Sequence, residues 1–149
     1  MAYRLQLFAR SAEPVAQRAA PALLDAAARL DPELLAVQDR DGIGVAGYDV
    51  YSRRDGNADT RTALSDSGPV VCLTVFTACR PADMAHYVDR GGPAKLLRCD
   101  TQIDLILTGG QFTDATWMVV RAICRAATDL WDAVLWDESD GFAVTIDDV

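Results

Sequence analysis

Chemistry in a protein of 149 residues starts from the side chains that can carry it. His86 is the only histidine. A metal site would therefore need carboxylates and thiolates, and there is no H-E-x-x-H, H-x-E or C-x-x-C pattern to anchor one. A Cys–His or Ser–His–Asp arrangement would have to run through His86, in "ADMAHYVDR" on a short predicted helix. Its better reading is a half-exposed helical histidine near Asp89 or Arg90. Cys72, Cys79, Cys99 and Cys124 read as buried thiols of a reducing compartment. The expectation is no catalytic residue, no metal and no cofactor.

Three further stretches have the outline of a site. "TGGQFTDA" (108–115) turns from a strand into a helix, with Thr113 as N-cap. Backbone N–H groups at such a start can hold an anion, but G-x-G-x-x-G and G-K-[ST] are missing. "WDESDG" and "IDDV" supply paired carboxylates, yet "DESDG" is too short for an EF-hand loop. In the first of these, Leu135 and Trp136 must point to opposite strand faces. Which one faces inward is open. If it is Leu135, Trp136 stands outside beside Asp137, Glu138 and Asp140, a composition typical of binding hot spots.

The elements that position these residues follow from periodicity. "YRLQLFA" (3–9) alternates as a strand does. Residues 11–30 have apolar positions at helical spacing, with Ser11 as a cap and Pro21 allowing a kink or a late start. "LLAVQD" and "IGVAGYDVYS" form a hairpin, Gly42 supplying the positive φ of its turn. Residues 52–68 are the longest polar stretch and read as a mobile loop. "PVVCLTVFTA" (69–78) reads as a central strand covered on both faces. "RPADMAHYVDRGG" is a short helix, "AKLLRC" an edge strand, "TQIDLILTGG" a strand, and "QFTDATWMVVRAICRAATDLW" the best helix, with Trp117 and Trp131 packing inward. "DAVLWDESDGFAVTID" closes as a second hairpin.

The hairpins echo each other. "LLAVQDRDGIGVAGYDV" and "WDAVLWDESDGFAVTIDDV" each carry Ala-Val, an acidic segment, Asp-Gly and an alternating run. Residues 3–50 and 101–149 thus read as two βαββ units, with a strand and short helix inserted at about 69–99. The expected fold is one α+β domain over residues 1–149, its mainly antiparallel sheet carrying the helices on one face in ferredoxin-like style. Duplicated metalloenzymes of the glyoxalase and bleomycin-resistance type resemble this outline, but their His and Glu ligands have no counterparts here.

Charge narrows the partners. Fourteen basic residues stand against 22 acidic ones, a net of −8, which disfavours nucleic acid and anionic membranes and favours a basic protein. The opening residues form no secretory signal and no apolar run approaches a membrane span, so a cytoplasmic site is expected. In its small size, acidity and acidic hairpins the chain resembles the immunity proteins of bacterial polymorphic toxin systems, delivered by type VI or contact-dependent secretion. The resemblance implies a non-enzymatic inhibitor that covers the active site of a cognate basic toxin. Asp39, Asp41, Trp136, Asp137, Glu138 and Asp140 are the expected partner-binding residues. The rival reading is a small-molecule-binding or regulatory domain of ferredoxin-like type. An edge strand near 94–99 or at the C-terminal hairpin leaves a homodimer open.

Overall fold

The computed structural model describes residues 2–55, 68–107 and 112–149. The polar stretch at 56–67 and the Gly-Gly turn at 108–111 lie outside the described residues. So do the loop reading for the first and the anion-site reading for the second.

The alternating segments form the strands. β1 (Tyr3–Ala9), β2 (Leu34–Asp41), β3 (Val45–Ser52), β4 (Val71–Phe76), β5 (Thr101–Leu107) and β6 (Val134–Asp137) make one sheet in the order β2-β3-β4-β5-β1-β6. Every neighbouring pair is antiparallel. This is an α+β protein. Leu5, Leu7, Leu73, Val75, Ile103, Leu105 and Leu135 fill one face. They meet the apolar sides of α1 (Ala16–Leu30) and α3 (Asp114–Trp131). Alanines line much of α1, including Ala16, Ala19, Ala20 and Ala27, and such small side chains let helix backbones approach closely. Trp117 and Trp131 are partly buried against this core.

α1 begins at Ala16, with Val15 rather than Ser11 at its N-cap position. Ser11 instead accepts from the Glu13 N–H at 3.2 Å in a turn, and Ala12 takes φ 57. The helix runs through Pro21, which is exposed, so the lost bond falls on the solvent side. At the β2–β3 turn, Gly42 N–H donates to Val45 O at 2.8 Å, and its φ is not positive. Closeness is the constraint there: a Cβ on Gly42 would lie 3.0 Å from Val45 Cγ1.

Four further expectations are corrected. β4 is central but buries only alternate residues, because the opposite sheet face lacks a full helical layer. Residues 94–98 form a 3-10 helix instead of an edge strand. Pro93 opens this turn and Leu96 plugs into a second core with Phe8, Met84, Cys99 and Val134. That second core sits on the other face of the sheet. It is covered by α2 (Pro81–Val88) and the 3-10 turn, so the helices do not share one face.

The last correction concerns the C-terminal hairpin. After β6 only Gly141 bridges back, to Asp137. Phe142 then packs into the second core while Val144, Ile146 and Val149 pack against the first. The tail crosses the sheet edge to seal both cores instead of extending the sheet. The second unit is βαβ followed by a 3-10 turn at Ile146–Asp148.

Candidate functional site

The two acidic turns are far apart. β2 and β6 are the opposite edges of the six-stranded sheet, five strand spacings or about 24 Å from each other. They run in opposite directions, so their turns leave opposite ends of the sheet. Asp39, Asp41, Trp136, Asp137, Glu138 and Asp140 therefore do not form one surface.

Their individual settings also differ. Asp39 is exposed where the register shifts between Gln38 and Arg40. Asp41 is exposed and accepts from Gln17 Nε2 at 2.5 Å, which ties the hairpin to α1. Its charge adds to the burial that raises the Tyr48 hydroxyl pKa above its ordinary value. Asp137 is only 5% exposed. It accepts from the Tyr3 hydroxyl, from Ser139 N–H at 2.7 Å and from Asp140 N–H at 2.9 Å. Its role is to hold a turn, and it is unavailable to a partner. Glu138 and Asp140 remain exposed beside it. Leu135 faces the main core at 4% exposure, and Trp136 takes the opposite face, partly buried against the second core.

That opposite face is the more informative surface. α2 and the 3-10 turn cover its β1–β6 side, at Phe8, Val134 and Trp136. Across β1, β5, β4 and β3 lies a row of Arg4, Ile106, Cys72 and Asp49, continued by Val37 on β2. A parallel row carries Trp136, Gln6, Asp104 and Thr74. Ile106 and Val37 are 36% and 49% exposed.

Asp104 organises the centre of this face. Its carboxylate accepts from Arg4 at 2.9 Å, from Gln6 Nε2 at 2.8 Å and from Gln102 Nε2 at 2.9 Å. Gln6 and Asp104 are themselves buried, whereas the Arg4 side chain is 47% exposed. Buried charge is tolerated when its hydrogen-bonding capacity is filled, as here. Nearby, the Cys72 thiol donates weakly to Asp49 at 3.7 Å. Burial, followed by the Asp49 charge, raises the Tyr51 hydroxyl. The face thus alternates apolar contact area with fixed polar groups.

Among the described residues no three His, Cys, Asp or Glu side chains are grouped to hold a metal. Burial pushes the Cys124 thiol up to about 12, which suppresses its thiolate, and it also raises the half-buried Cys79 and Cys99. His86 is exposed on α2 and meets the Tyr87 ring edge-on. Among the described residues no helix is long and apolar enough to cross a membrane. Comparison with protein-family models, curated proteins and solved structures found no match.

Proposed function

We propose that the protein is an immunity-type inhibitor that binds a basic bacterial toxin and covers its active site. The observation that carries this reading is the half-covered sheet face: exposed Ile106 and Val37 set among Arg4, Asp49 and the Asp104 network. The chain's net charge of −8 would speed docking to a basic cleft and make it salt-sensitive. Glu138 and Asp140 flank the β6 side of this surface, next to Trp136. A cytoplasmic site belongs to the same proposal.

The fold is read with it as ferredoxin-like in style. Setting aside the β2–β3 hairpin and the α2 and 3-10 insertion between β4 and β5 leaves β1-α1-β4-β5-α3-β6, a β-α-β-β-α-β order. In this reading the hairpin widens the sheet and with it the docking face.

The test is capture of partners from native lysate at low and high salt, using wild type and the Ile106→Arg variant. A captured protein is then co-expressed with the inhibitor and scored for toxicity. The expected result is one basic protein, released by salt, lost with Ile106→Arg and toxic when expressed alone. Capture of no toxic protein at either salt overturns the reading. Stabilisation by a metabolite in a thermal-shift screen would then favour the ligand-binding class.

A further inference from the structure

The second core holds two thiols that no part of the proposed function uses. We infer that Cys79 and Cys99 are an oxidisable pair, built to form one intramolecular disulfide with a small-molecule disulfide such as oxidised glutathione as the oxidant.

The argument begins with the chain path. β4 and β5 pair through Phe76 and Gln102 at the end of the ladder. Beyond it the two strands do not part. Ala78 takes φ 57 and turns the chain so that Cys79 N–H donates to Asp100 O at 2.9 Å. Cys99 is the residue next to Asp100. Such a bond faces Cys79 with Asp100 at a Cα separation of about 5.5 Å, and Cys99, one residue along the chain, lies diagonally at roughly 6 Å, within the span of about 4.4–6.8 Å that a disulfide bridges.

Side-chain direction agrees. Cys99 is a member of the second core and Cys79 packs against it, so both point to the same side of the sheet. Each thiol donates only a weak bond to a nearby carbonyl, Cys79 to Phe76 O at 3.8 Å and Cys99 to Lys95 O at 3.7 Å. Little holds either sulfur from turning toward the other. The thiols are close enough that a charge on one disfavours a charge on the other. The remaining cysteines are placed differently. Cys124 is fully buried in the main core and Cys72 lies on the open face beside Asp49.

The steps balance as ordinary exchange. Cys79, the more exposed of the pair, loses its proton and its sulfur attacks one sulfur of oxidised glutathione. A mixed disulfide forms and one glutathione thiolate leaves and takes up a proton. Cys99 sulfur, deprotonated in turn, attacks Cys79 sulfur, and the second glutathione leaves as thiol. The protein loses two electrons and two protons, and the glutathione disulfide gains both. The closed loop spans α2 and the 3-10 turn, the helical part of the second core's cover. Oxidation would therefore close this cover at its base, where the chain leaves β4 and enters β5.

The test uses the purified full chain. It is incubated with oxidised glutathione, quenched with an alkylating agent under denaturing conditions, digested and mapped by mass spectrometry. The expected product is a peptide linked through Cys79 and Cys99, with Cys72 and Cys124 alkylated and an oxidised form that melts several degrees higher. The Cys99→Ser variant, checked for native fold by circular dichroism, should stop at a glutathione adduct on Cys79. A wild type that accumulates the Cys79 adduct without the linkage, or links another pair, overturns the inference. So does a folded protein that stays fully reduced over the same exposure.

Discussion

The two Asp-Gly turns compare the same local signal in two settings. In the first, β2 and β3 run on as long strands, and Asp39 and Asp41 point to solvent. In the second, Asp137 turns inward and gathers Tyr3, Ser139 and Asp140 on its carboxylate, and no long return strand follows. The difference comes from what lies nearby. The first turn projects from a sheet edge past α1. The second sits under the start of β1, where the Tyr3 ring packs against Phe112 and Trp117. An acidic residue there must be either hydrogen-bonded or excluded.

Replacing the two sets of acids separates these roles most strongly. Asp137→Ala leaves two turn N–H groups and a tyrosine hydroxyl without their acceptor, and should cost about 3 kcal/mol in urea unfolding. A cost below that of a surface substitution would mean that the carboxylate is not the centre of the turn. Gly141, at φ 61, should lose about 1 kcal/mol on change to Ala, because a side chain is strained in that backbone region. Gly42→Ala, outside that region, should lose less than Gly141→Ala in the same measurement.

Alkaline pH sharpens the comparison further. Burial first, then the hydrogen bond and charge of Asp137, raise the Tyr3 hydroxyl above its ordinary 10.0. The folded chain thus keeps a proton that the unfolded chain releases. Its contribution is complete below pH 10 and is lost as pH rises through the higher folded value. Tyr48 and Tyr51 are raised too, so the readout is a difference. Unfolding free energy should fall less steeply above pH 10 in Tyr3→Phe than in wild type. Smallest of all, Asp39→Ala should change stability by no more than about 0.5 kcal/mol. A larger loss would show that the bulge at Gln38 and Arg40 depends on it.

Much of this fold was legible because it is written locally. β1, the β2–β3 hairpin and α3 follow their apolar periods, and Thr113 caps α3 as its position suggests. What escaped depends on distant partners. The run after Asp140 alternates like a strand, but Phe142 is drawn into a core that exists only because α2 crosses to the second face. Leu96 is claimed by the same core. The centre of the candidate surface was missed for a related reason. Arg4 and Gln6 occupy the outward positions of β1, and Gln102 and Asp104 those of β5. The alternation marks these four as polar, but only the β1–β5 register joins them. Trp136 was half legible: alternation set it opposite Leu135, but which of the two enters the main core, and what covers the other, depended on the helices.

The register shift in β2 has a consequence for the molecule in bulk. The outer edge of a sheet is a template for strand addition, and a flat one seeds fibrils. Here one edge is four residues long. The other is broken between Gln38 and Arg40 and carries Asp39, Arg40 and Asp41 in succession. A foreign strand would meet a kink and charges of both signs where it needs a straight ladder. The chain is thereby guarded against polymerising through its own sheet, even when it accumulates to high concentration.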